Sequence, residues 1–162
     1  MSVIVHPFKP IIDQNSEKLI LGTFPSIRSF ENYYYGHPRN QFWKILAEVY
    51  KADVPQTVED KIDFILSREL ALWDIIHSCR RRSENSSDSN LEVVALNPIG
   101  QLLRQYPNIK KIFFTSRTAE RLFRKEFKPV NIEIDYLPSP SPAYTALTFD
   151  QKVQEWRRKL LR

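Results

Sequence analysis

Cysteine is almost missing from this chain: Cys79 stands alone among 162 residues. A single thiol excludes a disulfide framework, a CxxC zinc pattern and a thiolate set for an iron–sulfur cluster. Reduced chemistry with no metal and no cofactor is therefore the simplest expectation. No uncharged run reaches membrane-spanning length, and no basic region followed by an apolar stretch marks the start of the chain. A soluble, cytoplasmic protein with no membrane partner is expected. Internal repeats and low-complexity tracts are also missing. At 42% hydrophobic residues the chain is long enough for one α/β core and too short for two ordinary domains. A single domain over residues 1–162 is expected. Acid is the scarcer charge, with 19 Asp and Glu against 24 Lys and Arg, for a formal net charge of +5. That balance permits a polyanionic partner, and it equally well serves to solubilise the surface.

What is present reads as strands alternating with helices. Lys18 to Gly22 (KLILG) is a short apolar run stopped by Gly22 and Pro25, as for a strand buried on both faces. Asn40 to Lys51 carries Phe42, Trp43, Ile45, Leu46, Val49 and Tyr50 at helical spacing. Thr57, three residues before Asp60, opens a helix over VEDKIDFILSREL with Ile62, Ile65 and Leu66 inward. Leu70 to Ile76 (LALWDII) predicts a strand, and Arg80 to Asn90 (RRRSENSSDSN) a polar surface loop. Asn97-Pro98 starts a helix over IGQLLRQY, KKIFFT is a strand, Ser116 caps RTAERLFRKEF, Asn131 to Leu137 is the last strand, and FDQKVQEWRRKLL follows Thr148 as a helix. Such an order implies a mostly parallel sheet, whose ligands bind beyond the strand C-terminal ends.

Three segments converge there: LILGTFPS (Leu19 to Ser26), YYYGHPRNQFWKIL (Tyr33 to Leu46) and LPSPSPA (Leu137 to Ala143). Each residue also has an ordinary structural explanation. Asn40 is a preferred N-cap for the helix behind it, Phe42 suits a core, Phe24 can plug a turn, and three tyrosines can pack beneath a loop. His37 can donate to a phosphate, to a base or to a backbone carbonyl, and Arg39 most simply meets a phosphate. Ser139 and Ser141 offer hydroxyls in a turn stiffened by Pro138, Pro140 and Pro142, whose free amides can bind phosphate. The run Arg80 to Arg82 reads as a solvated loop or, beside a groove, as phosphate contacts; Glu84 and Asp88 argue against a uniform basic patch.

Taken together, the strand ending GTFPS, the segment YYYGHPRNQFW and the turn LPSPSPA resemble the uracil-DNA glycosylase superfamily, most closely its hypoxanthine-DNA (DNA-deoxyinosine) glycosylase branch. LWDIIHSCRRRS resembles the branch further, with Asp74, Cys79 and Arg80 in register. The resemblance implies a three-layer α/β/α fold. It implies Asn40 as the catalytic residue, because Phe24 stands where other branches place an acid or amide in the first turn. It also implies Phe42 as a platform for an extruded base, with Phe24, Gly22, Tyr35 and His37 as further substrate-binding positions. Ser26, Arg28, Arg39, Ser139, Ser141 and Arg80 are the implied DNA contacts. Departures from the pattern fall at Asn85, where glycine is usual, and at Thr115-Ser116, where relatives carry Asn-Gly.

The activity so implied is hydrolysis of the N-glycosidic bond of a deaminated base, hypoxanthine first, in DNA, by a monomer that leaves an abasic site. No lysine lies in either pocket motif, so neither a Schiff base nor strand cleavage is expected. Removal of uracil or thymine from mismatches is the alternative supported by NQFW, and a non-catalytic damage-binding module is the alternative supported by the missing first-turn acid and by Thr115.

Overall fold

The computed structural model describes residues 2–83, 87–128 and 132–162. Four strands, β2 (Lys18–Gly22), β3 (Leu70–Asp74), β6 (Lys111–Phe114) and β7 (Glu133–Tyr136), form an all-parallel sheet in the order β3-β2-β6-β7. β2 and β3 are buried on both faces because helices flank the sheet, so their residues are apolar without alternation. The mixed α/β architecture expected from the alternation is observed, with α2 (Phe42–Tyr50), α3 (Val58–Leu66), α4 (Ile99–Gln105), α5 (Arg117–Glu126) and α6 (Phe149–Leu160) as its main helices and α1 (Ser29–Asn32) as a short turn. Among the described residues no helix is long and apolar enough to cross a membrane.

Side-chain hydroxyls cap three of the helix starts. The Thr57 hydroxyl accepts from Asp60 N at 3.0 Å, Ser116 from Ala119 N at 3.0 Å, and Thr148 with Gln151 forms a reciprocal capping box. Two ends differ from expectation. α3 stops at Leu66 rather than running through SREL, because Glu69 takes a left-handed φ of 59° and turns the chain into β3. Its inward residues are Phe64 and Ile65, with Ile62 and Leu66 only partly covered. α2 begins at Phe42, two residues after Asn40.

A second sheet was not expected. LALWDII does not end as one strand: β3 stops at Asp74, and after Ile75 the chain resumes as β4 (Ile76–Arg81) in an antiparallel sheet with β1 (Ile4–Val5) and β5 (Leu91–Leu96), ordered β1-β4-β5. Ile75 N donates to Gly22 O and Ile76 N to Thr23 O, so the crossing stays bonded to β2 and the turn after it. Arg80 and Arg81 are therefore strand residues, not loop residues. The expected last strand starts at Glu133; Asn131 lies outside the described residues, as do Glu84 and Asn85.

Candidate active site

All four parallel strands point their C-terminal ends to one edge, so Thr23, Asp74, Thr115 and the turn after Leu137 meet there around an open cleft of about 760 Å³. Its floor is held by Tyr35. The Tyr35 ring stacks on Phe42 at 4.0 Å between centroids, and its hydroxyl bonds Thr115 Oγ1 at 3.0 Å. Burial pushes the Tyr35 phenol well above its ordinary range, and the carboxylate of Asp74 adds to the shift. Tyr33 and Tyr35 both adopt left-handed backbone, with φ of 73° and 52°. Each such non-glycine residue costs on the order of 1–3 kcal/mol, offset only where packing over-determines it.

Phe42 does not present a free face. It is fully buried, with Tyr35 stacked on one side and Trp43 and Trp156 edge-on around it. The expected platform is thus a core residue beneath the cleft, and Tyr35 is the ring that lies above it. Gly22 is likewise buried beneath the cleft wall. A Cβ there would fall 2.5 Å from Asp74 Oδ1 and 2.6 Å from Tyr35 Oη, so glycine is required for these polar groups to converge. Phe24 does line the cleft, partly covered, with the Arg81 guanidinium 5.7 Å from its ring centroid.

Asn40 and His37 also line the cleft. Asn40 Oδ1 accepts from Phe42 N at 2.9 Å, so it satisfies the first amide of α2, although the N-cap residue itself is Gln41 and not the expected Asn40. Because the oxygen faces the helix, the Nδ2 amide is the donor left for a ligand. His37 Nδ1 accepts from Arg39 N at 3.1 Å, which places the proton of the neutral ring on Nε2. The Arg39 and Arg28 side chains are exposed, outside the cleft lining.

The serine turn differs in detail from expectation. Ser139 Oγ accepts from Ser141 N at 3.1 Å and Ser141 Oγ from Ala143 N at 3.2 Å, so these two amides are already engaged. The hydroxyl protons of Ser139 and Ser141, which line the cleft, remain as donors. Ser26 lines the same cleft and bonds Ser29 at 2.9 Å. Arg80 lies 3.4 Å from Glu92 and lines no part of the cleft. Alternation along β4 turns its neighbour the other way: Arg81 Nη2 donates to Pro25 O at 2.6 Å.

Sequence reasoning gave no site role to two carboxylates that stand at the cleft. Asp74 Oδ2 accepts from His6 Nε2 at 2.8 Å, with side chains 6% and 2% exposed, and Asp74 lines the cleft. Asp88 Oδ2 accepts from Thr23 Oγ1 at 3.1 Å; Thr23 in turn bonds Ser116 Oγ at 2.5 Å, whose oxygen takes the Ala119 N–H. This gives a directed chain from the start of α5 through two hydroxyls to a carboxylate. Burial raises the Asp88 carboxyl above the usual range, and the charge of Asp74 raises it further, against the Thr23 hydrogen bond, Arg81 and Arg121. The Thr115-Ser116 pair is thus occupied on both sides, by Tyr35 and by Thr23. No motif spacing flags His6, which follows β1 and reaches Asp74, or Asp88, which lines the cleft from the connection between β4 and β5.

Comparison with known proteins bears on this arrangement. The family model of the uracil DNA glycosylase superfamily matches residues 10–162. A hypoxanthine DNA glycosylase of Methanosarcina barkeri is 30% identical over 127 residues, 76% of this chain and 75% of that protein. A hypoxanthine DNA glycosylase of Methanosarcina acetivorans is 28% identical over 156 residues, 95% of this chain and 96% of that one. A solution NMR structure of a candidate uracil DNA glycosylase from Methanosarcina acetivorans superposes with a TM-score of 0.76 at 30% identity, covering 94% of each chain.

Proposed function

The chain belongs to the uracil DNA glycosylase superfamily, and from that premise we propose that it hydrolyses the N-glycosidic bond of hypoxanthine in DNA, leaving an unbroken strand with an abasic site. The observation that carries the proposal is the joining of the two motifs at the cleft. Gln41 N, next to Asn40, donates to Pro140 O at 2.9 Å, so the amide and the serine turn are held as one unit. That two relatives are named hypoxanthine DNA glycosylases supports reading hypoxanthine, rather than uracil, as the base for this chain.

A base must leave the stack to enter the cleft, and a deaminated base that pairs poorly is extruded at lower cost. As the bond between C1′ and the purine nitrogen breaks, positive charge builds on the deoxyribose and negative charge on the base. Asp74 and, above its raised pKa, Asp88 place negative charge at the cleft for the first. Asn40 Nδ2 holds the attacking water through its oxygen, a positioning role that needs no ionisation. His37 Nε2–H is a donor for the departing base or for a phosphate beside it. Water adds its oxygen to C1′ and gives up one proton, and the base leaves carrying one. Lys152 Nζ is buried and already bonded to Gln41 and Ser141, which supports simple hydrolysis without a Schiff base.

A panel of duplex and single-stranded oligonucleotides carrying inosine, uracil, xanthine or ethenoadenine tests the proposal. Release of hypoxanthine, with strand breakage only after alkali, is expected. Release of uracil alone would move the assignment to the mismatch enzymes, and no release from any substrate would overturn it.

A further inference from the structure

Lys152 sits in α6 behind the serine turn and is 1% exposed. Its Nζ donates to Gln41 Oε1 at 2.8 Å and to Ser141 O at 3.0 Å, and lies 5.4 Å from the centroid of the Tyr144 ring. The ion pairs among the described residues leave Lys152 without a carboxylate partner. Burial lowers its pKa from the ordinary lysine value, and no neighbouring charge opposes that.

An ammonium enclosed by two neutral oxygens and a ring lacks the counter-ion that would offset its desolvation. An apolar side chain of similar length would fill the site without that cost, so packing does not explain a lysine here. The location does. Its two hydrogen bonds go to the turn whose serine hydroxyls face the cleft and to the residue adjoining Asn40.

We propose that Lys152 is a buried electrostatic anchor for a DNA backbone phosphate received by the Ser139 and Ser141 hydroxyls, and that it couples phosphate binding to the placement of Asn40. The proposal rests on the reading of the cleft as a DNA site. Lys152 does not touch the phosphate; it is a positioning residue that presents positive charge through the turn. The phosphate supplies the missing counter-charge, and the same ammonium keeps Gln41, and with it the start of α2, against the turn.

The test compares the full chain with Lys152→Met, which keeps length and loses charge, and with Lys152→Arg, which keeps charge. Binding of a duplex with a tetrahydrofuran abasic analogue is titrated by fluorescence anisotropy across a salt series, beside thermal unfolding and single-turnover excision at saturating enzyme. Lys152→Met is expected to unfold at or above the wild-type temperature, to bind about tenfold more weakly at low salt and to converge on wild type at high salt, where charge is screened. Lys152→Arg is expected to restore most of the binding. If Lys152→Met does not fold, Lys152→Gln, which keeps one hydrogen bond without charge, is read in its place with the same expectation. Wild-type affinity at every salt concentration in the neutral variant would overturn the proposal. So would a binding loss that Lys152→Arg shares in full. Tight, salt-dependent binding by a wild-type protein that excises nothing would sink the enzymatic reading and leave the Lys152 comparison standing.

Discussion

The two sides of the cleft are built from opposite materials. On one, Tyr33 to Phe42 sinks its rings into the core: Tyr34 and Phe42 are almost or wholly inaccessible, and Tyr35 seals the surface above them. On the other, Thr23, Asp74, Asp88, Thr115 and Ser116 form a layer of hydroxyls and carboxylates at the strand ends, where Thr23 bonds both Asp88 and Ser116, Thr115 bonds Tyr35 across the cleft floor, and Asp74 bonds His6. The aromatic side holds its shape by packing, which is insensitive to pH and salt. The polar side holds its shape by directed hydrogen bonds around partly desolvated carboxylates, and these respond to both. Asn40 stands at the junction, with its oxygen capping the aromatic side's helix and its amide toward the cleft.

The sharpest break in this contrast is Phe42→Ala. Deleting a fully enclosed ring that touches three other rings should cost about 3–5 kcal/mol of stability, read from denaturant unfolding. A loss below about 1 kcal/mol, with base capture abolished, would restore Phe42 as a substrate platform. Asn40→Ala comes next. Single-turnover excision of inosine should fall about 10²–10³-fold, while the lost cap costs only about 1 kcal/mol. Asn40→Asp should keep the cap and still alter excision, so wild-type rates in both variants would make Asn40 a cap and nothing more.

Asp88→Asn probes the polar side alone. A carboxyl whose folded pKa is raised contributes stability that is fully present below the unfolded value and lost as pH rises through the folded one. The variant should therefore gain on wild type in unfolding temperature as pH climbs from below the ordinary aspartate range through the raised value, and hold that gain above it. A difference that stays constant with pH would show that Asp88 is not desolvated. The smallest expected effect is that of Arg39→Ala. Salt titrations of DNA binding should show the log–log slope flatten by about one unit, for one phosphate contact. An unchanged slope would place Arg39 off the DNA path.

The parallel sheet was legible because its strands are apolar runs with turn residues at their ends, and the helices because hydroxyl caps and helical spacing coincide. The antiparallel sheet was hidden by two features. β1 is only two residues long, and the passage from β3 to β4 falls inside LALWDII, where Asp74 alone breaks the apolar residues and no glycine or proline marks a turn. That omission carried over to the site. Reading Arg80 to Asn90 as a loop gave Arg80 to Arg82 one shared role, solvated or phosphate-binding, whereas strand alternation sends Arg80 to Glu92 and Arg81 to Pro25. Asn40, His37 and the two serines announced themselves by their motifs. Phe42 did not disclose that Tyr35 would lie over it, because no local pattern foretells a tyrosine in left-handed backbone.

The position of α6 has a consequence for the order in which the molecule becomes competent. Trp156 Nε1 donates to Pro138 O, Lys152 holds Ser141 and Gln41, and Arg157 reaches Glu48 O in α2. Every pairing of the parallel sheet is complete by Tyr136, yet these tethers on the turn and on α2 come from α6, which follows the whole sheet in the chain. A nascent chain can therefore own its sheet while the serine turn and the start of α2 are still unfastened. On the proposed reading, the grip on the DNA backbone depends on α6 being docked and not on the sheet alone.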